Sequence, residues 1–220
     1  MTSDATRALW LQEDESNVRE KGCRLAAKFG NLAALQWLRS RDCRWDSGAC
    51  IEAAAGGHVH ILHWARSQTP PCSWDEGLCG AAAANGQLDV LQWLRAQTPP
   101  CPWNAARVCE VAAENGHCAV VEFLLSQTPP SPWSEDTFYA AARNGHLDVL
   151  QLLRSQMPPC PWDEHACFAA AKYGHLDVLL WLRSQASPCP WNIRDCLNCA
   201  EWRCSTNTGR EMVAFIRSQL

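Results

Sequence analysis

CSWDEGLCGAAAANGQLDVLQWLRAQTPP, running from Cys72 to Pro100, decides the fold, because near copies of it recur along most of the chain. Aligned on their first tryptophan, the copies place Trp45, Trp74, Trp103, Trp133, Trp162 and Trp191 at spacings of 29, 29, 30, 29 and 29 residues. A fixed period of this size marks a stacked-repeat architecture. The shared unit reads C-P-W-[DN]-x-x-x-C-x-A-A-A-x-x-G-H-L-D-V-L-Q-W-L-R-S-Q-x-P-P. A further copy, CRLAAKFGNLAALQWLRS, lies upstream at Cys23 to Ser40, which makes seven units. The last departs from the pattern, with about six extra residues between Cys196 and Gly209. An atypical terminal unit is expected of stacked repeats, since an end face must be solvated. The predicted organisation is an N-terminal segment over 1–17 and an array over 18–220 that ends in this cap.

Each unit contains two predicted helices. The residue after the aligned Trp is Asp46, Asp75, Asn104, Ser134, Asp163 or Asn192, all able to accept a hydrogen bond from the free N–H groups of a first turn. Glu76, Glu135 and Glu164 follow where the helix dipole favours negative charge. Helix A stops at Gly30, Gly57, Gly86, Gly116, Gly145 or Gly174, each placed where a left-handed residue closes a helix. Helix B is the L-D-V-L-Q-W-L-R-S-Q stretch, and it ends before Pro-Pro in most copies. Three and four residues after the helix A cysteine stand Ala53 and Ala54, Ala82 and Ala83, Ala112 and Ala113, Ala141 and Ala142, and Ala170 and Ala171. With the cysteine they form one helical face of small side chains, along which neighbouring units can approach closely. Helix B supplies bulk through residues such as Val90, Leu91, Trp93 and Leu94, and the aligned Trp residues are expected to staple each loop to the stack.

Composition narrows the class. The 220 residues carry 19 Lys+Arg against 23 Asp+Glu, so the formal charge of -4 argues against holding nucleic acid or an anionic membrane by bulk electrostatics. Hydrophobic content of 47% with 19% charged residues excludes general disorder. No apolar run approaches a membrane span, and the first twenty residues lack a basic stretch followed by an apolar one. Fourteen cysteines are too few for a short disulfide scaffold, and no glycosylation sequon occurs. The chain reads as a monomer of a reducing, cytoplasmic compartment.

The helix-turn-helix stretch resembles the ankyrin repeat, A-A-x-x-G-H-x-x-V-V-x-x-L-L, in AAENGHCAVVEFLL from Ala112 to Leu125, AARNGHLDVLQLLR from Ala141 to Arg154 and AAKYGHLDVLLWLR from Ala170 to Arg183. The likeness covers about residues 18–220 and is nearest to a divergent C-P-W-D type of ankyrin array. It implies an all-α helix-turn-helix solenoid and a protein-binding module. Two features depart from the family. The T-P-L-H motif is absent, with Cys79 or Cys167 where its Leu would stand, and the unit is about four residues shorter than 33. The missing length falls where ankyrins project β-hairpin fingers. TPPCPW is too short and too rich in Pro for a hairpin, so shortened or absent fingers and little or no sheet are expected.

No catalytic signature is present: no G-x-S-x-G, G-x-G-x-x-G, P-loop or H-E-x-x-H. Neither an enzyme nor a cofactor is expected. The C-P-W-x4-C spacing, as in Cys43/Cys50, Cys72/Cys79, Cys160/Cys167 and Cys189/Cys196, admits packed thiols, a disulfide within each unit, or metal binding. The fourth tryptophan-aligned copy loses both cysteines, to Ser131 and Phe138, while Cys23 has Ser16 at the matching position. Cys196, Cys199 and Cys204 form the best zinc candidate, without an evident fourth ligand. His58, His117, His146 and His175 follow the helix A glycine, where the resemblance implies a tie within the interhelix turn. His58, His60 and His63 form a second possible metal group, although a solvated face fits the last two better. The helix B arginines Arg39, Arg66, Arg95, Arg154 and Arg183, with aspartates nearby, read as a solvated face.

Positions one and five after the helix A cysteine vary most between copies. They are Ile51, Gly80, Glu110, Tyr139, Phe168 and Leu197 in one row, and Ala55, Ala84, Glu114, Arg143 and Lys172 in the other. The central patch of Tyr139 and Phe168, flanked by Arg143 and Lys172 with Glu110 and Glu114 adjacent, is the expected partner-binding site. Packing of both rings between adjacent A helices is the alternative. The expected function is a non-catalytic scaffold that binds a partner protein on a concave helix A and loop surface. A thiol- or zinc-dependent protein and a substrate adaptor in a ligase or signalling complex are the competing readings.

Overall fold

The structure, a computed structural model, describes residues 15–220 except 42, 44, 45, 128–131 and 204, with side chains described from residue 21. The expected roles of Trp45, Ser131 and Cys204 therefore lie outside the described residues. Among the described residues there are fourteen helices and no strand, so the hairpin fingers are absent there, as the Pro-rich linkers require. Two compact units divide the chain, Met1–Trp103 and Asn104–Leu220.

In the first unit the helices are α1 (Glu15–Lys28), α2 (Leu32–Arg39), α3 (Ser47–Ala55), α4 (Val59–Ser67), α5 (Gly77–Ala84) and α6 (Leu88–Arg95). The second has α7 (Ala105–Glu114), α8 (Cys118–Leu125), α9 (Glu135–Asn144), α10 (Leu147–Arg154), α11 (Glu164–Tyr173), α12 (Leu176–Ser184), α13 (Ile193–Glu201) and α14 (Asn207–Arg217). Odd-numbered helices are the A helices, and each packs on its own B helix and on the A helix of the next repeat within its unit. Apart from α1 they are 8 to 11 residues long, too short to hold themselves in water. Stacking therefore carries their stability.

The buried layer matches the predicted faces. The ten alanines of the paired column are fully buried, as are Cys79, Cys109, Cys167 and Cys196. On helix B, Val90, Leu91 and Leu94 are fully buried, and their counterparts Val149, Leu150 and Leu153 repeat the pattern in α10. Each such Leu contributes roughly 1.5–3 kcal/mol of burial. Trp93 is only half-buried.

The caps form as expected except at Asp46, and at Asp75, where the helix begins one residue later, after Glu76. Asn104 accepts from the Arg107 N–H, Asp163 from His165, Asn192 from Arg194 and Asp195, and Asp75 from Gly77. Ser134 is capped in return, its N–H donating to the Thr137 hydroxyl. At Asp46 the carboxylate makes no side-chain cap to α3 and instead pairs with Arg24 of α1. The Arg24 hydrogen bond holds the Asp46 carboxyl below its ordinary range. This tie therefore acts above the ordinary carboxylate pKa and is lost as pH falls through the lowered value.

The histidine column works differently from a tie within one turn. His58 Nε2 lies 2.9 Å from the Lys28 carbonyl, His146 Nε2 3.0 Å from Glu114 O, and His175 Nε2 3.0 Å from Arg143 O. Each ring reaches back to the preceding repeat, and because a carbonyl can only accept, Nε2 carries the proton. Gln87 makes the same bond to Ala55 O at 3.1 Å, and Arg203 Nε makes it to Lys172 O at 2.7 Å. These acceptors are last-turn carbonyls of an A helix, which have no partner inside that helix. All six turn glycines take φ between 70° and 90°. At Gly30 a second demand is visible: an added Cβ would meet the His58 ring at 2.7 Å. The glycine thus permits both the left-handed turn and the approach of the next repeat's histidine.

The arginine column is a correction too: these side chains clamp the linkers instead of forming a merely solvated face. Guanidinium carbons of Arg66, Arg95, Arg154 and Arg183 sit 4.1, 4.2, 3.8 and 4.6 Å from the ring centroids of Trp74, Trp103, Trp162 and Trp191. Their Nη1 groups donate to the carbonyls of Cys72, Cys101, Cys160 and Cys189 at 3.4, 2.8, 2.7 and 2.5 Å. A weakly hydrated planar cation stacked on indole and bonded to the loop backbone explains why Arg and Trp recur together. Trp74, Trp103, Trp162 and Trp191 are accordingly half-buried under Arg, not core.

Replacing Gly145 by Ala, which imposes a strained φ and meets the His175 ring, is expected to lower stability by about 1–3 kcal/mol in urea unfolding.

Candidate functional site

The variable positions of helix A come together in the second unit. Tyr139 of α9 and Phe168 of α11 line one cavity of about 270 Å³ with Glu135, Asp136, Asp163 and His165. Phe168 and His165 also border a neighbouring cavity of about 210 Å³, completed by Glu164, Asn192 and Asp195. Both rings are half-buried and line the cavity. The one-repeat offset of helix A places them here, since the Ala face at i+3 and i+4 turns position i+1 outward.

The other four residues of the expected patch flank this site in different ways. Lys172 is exposed and holds its Nζ 5.5 Å from the Phe168 centroid and 5.6 Å from that of Tyr173. Arg143 is exposed and lies over Tyr173 at 5.2 Å, not over Tyr139. Glu110 pairs with Arg107 at 3.0 Å within α7. Glu114 is half-buried, and its carbonyl receives His146. Tyr139, Phe168 and Lys172 thus share one neighbourhood, whereas Arg143 is turned to Tyr173.

The carboxylates escaped the sequence reading. Glu135, Asp136, Glu164 and Asp195 occupy first turns of A helices, where dipole and capping explain acidic residues without a site. Their recurrence beside the variable aromatic row was the available signal. His165 was likewise passed over; its Nε2 is 3.8 Å from Asp163, whose other oxygen caps the helix. Carboxylates that outnumber the one imidazole, beside two aromatic faces, suit a cationic side chain.

The cysteines are not paired within repeats. Cys50 and Cys72, Cys79 and Cys101, and Cys167 and Cys189 perturb each other's titration, each helix A thiol lying near the linker thiol of the following repeat, and the Cys167 thiol approaches the Cys189 carbonyl at 3.9 Å. Cys23 meets Cys43 in the same manner at 3.0 Å, which gives Cys23 the partner that within-unit pairing denied it. Linker thiols also donate to the N-cap carbonyl of the preceding repeat, Cys189 to Asp163 O at 3.1 Å and Cys160 to Ser134 O at 3.5 Å. The two losses in the fourth tryptophan-aligned copy therefore belong to different pairs: by sequence register Ser131 matches Cys109, and Phe138 matches Cys160. Burial pushes the Cys109 thiol up to about 11 and, as the leading cause, Cys160 and Cys196 up to about 12. None of the thirteen described cysteines is disulfide-bonded.

Among the described residues no three His, Cys, Asp or Glu side chains converge as a metal site. Cys196 is buried and Cys199 half-buried, while Cys204 lies outside the described residues. His58 and His60 each approach a backbone carbonyl, Lys28 O and Gly30 O, and His63 lies beside Trp93. No described helix is long and apolar enough to cross a membrane.

Residues 109–195 match the family model for ankyrin repeats, in three copies. No curated protein matches the sequence.

Native protein treated with iodoacetamide is expected to be labelled first, among the described cysteines, at Cys118 and Cys199, the two that are not fully covered. Peptide mapping that found Cys109 or Cys160 labelled equally fast would contradict their burial.

Proposed function

From the ankyrin repeats matched over residues 109–195 we propose that the chain is a non-catalytic scaffold whose helix A face in the second unit grips a partner protein. Ankyrin repeats are in general protein–protein interaction modules and not catalysts. The observation that carries the site is the Tyr139/Phe168 cavity, where positions that vary between repeats open beside an otherwise repeated core. Aromatic anchors in a recess are typical of residues that dominate binding energy.

The lining also defines the partner's chemistry. A lysine or arginine side chain of the partner enters between the Tyr139 and Phe168 rings, where Glu135, Asp136 and Asp163 offer charge-assisted hydrogen bonds. Binding of this kind weakens as salt rises, because the carboxylates sit near solvent.

Affinity capture from source-cell lysate, with wild type compared to Tyr139→Ala/Phe168→Ala, tests the site. A partner retained by wild type is expected to bind the double variant at least tenfold more weakly, at equal helical circular dichroism. A Glu135→Gln/Asp136→Asn variant is expected to lose most of the salt dependence. Undiminished capture by a folded Tyr139→Ala/Phe168→Ala protein would remove the site from this cavity.

A further inference from the structure

The thiol pairs have a register of their own. Cys50 and Cys72, Cys79 and Cys101, and Cys167 and Cys189 are each 22 residues apart, and Cys23 and Cys43, with Sγ atoms 3.0 Å apart, are separated by 20. In every pair one sulfur is on an A helix and the other on the linker that opens the next repeat. All eight are buried, with Cys72 the most accessible at 3%. We propose that these four pairs are sites of reversible disulfide formation that bond each repeat to its successor.

The oxidant is a low-molecular-weight disulfide of the oxidised glutathione class. After a local opening, the linker cysteine's thiolate attacks one sulfur of the oxidant, and the oxidant's other half leaves as a thiol on taking up a proton. The helix A cysteine gives up its proton and attacks the linker sulfur, forming the inter-repeat S–S bond and expelling the second half as a thiol. Two protein thiols lose two electrons and two protons, and one oxidant disulfide becomes two thiols.

The linker cysteine is the entering nucleophile because it lies outside the helices, on a segment that opens more readily than the A helix carrying its partner. At two of the pairs the helix A thiol also draws the Cys72 and Cys101 thiols below their ordinary value, while the protons of Cys50 and Cys79 are held more tightly. Geometry selects the partner: the two cysteines of one C-x6-C segment belong to different pairs, so within-repeat bonds are excluded. Cys109 and Cys160 stand opposite Ser131 and Phe138 in this register and stay single.

The test incubates the full chain, folded, with oxidised glutathione, blocks remaining thiols by alkylation after unfolding, and maps linked peptides by mass spectrometry without reduction. Expected links are Cys23–Cys43, Cys50–Cys72, Cys79–Cys101 and Cys167–Cys189. They are reversed by dithiothreitol and accompanied by a rise in Tm of about 10 °C or more. Cys50→Ser is expected to abolish the Cys72 crosslink while the other three form. Links within a repeat, such as Cys72–Cys79, or full alkylation of all eight cysteines after oxidation, would overturn the proposal.

Discussion

Close contact between adjacent A helices is the constraint on which the other features depend. Alanine at two successive core positions and, in every repeat but the one with Phe138, cysteine one turn earlier leave a face of small side chains. Backbones can then approach closely enough for a histidine of one repeat to reach the last helical carbonyl of the repeat before it. Larger residues at the paired alanine positions would separate the helices, and the imidazole bond would not close. The same spacing lets a helix A thiol touch the next linker's thiol, and it sets Tyr139 beside Phe168 with a cavity between them. Core packing and the candidate binding surface are thus two sides of one repeat distance.

Much of this was legible in the sequence. Period, caps, turn glycines and the alanine face are local signals, each read from neighbouring residues, and each appears in the structure. What escaped was relational. The histidine column was visible, but whether its acceptor lay in the same turn or the preceding repeat depends on a distance between repeats. Arg203 completes that column from a segment that does not align with the others, so no pattern could assign it. The arginines looked solvated because their Asp neighbours suggested it, whereas a backbone carbonyl six residues on and a tryptophan eight residues on were waiting. Cysteine pairing failed for the same reason: sequence proximity within C-x6-C suggested one partner, and stacking supplied another.

The division of labour along helix A follows from these contacts. Its inner face is repeated because every repeat must satisfy the same neighbour. Its first turn and outer positions meet no such demand and are free to differ, so the acidic and aromatic residues around Phe168 can be shaped by something outside the chain. Glu135, Asp136 and Glu164 serve the helix dipole and the cavity at once, which is why their second role was hidden behind the first.

The repeat distance is tested most directly by enlarging the small face at one point. Ala141 is fully buried in that face, while Ala119 in α8 is exposed, so Ala141→Leu and Ala119→Leu add the same volume in opposite surroundings. Urea unfolding should show Ala141→Leu destabilised by about 1–3 kcal/mol and Ala119→Leu nearly unchanged. Equal stability of the two variants would contradict the claim that close packing of the A helices sets the structure.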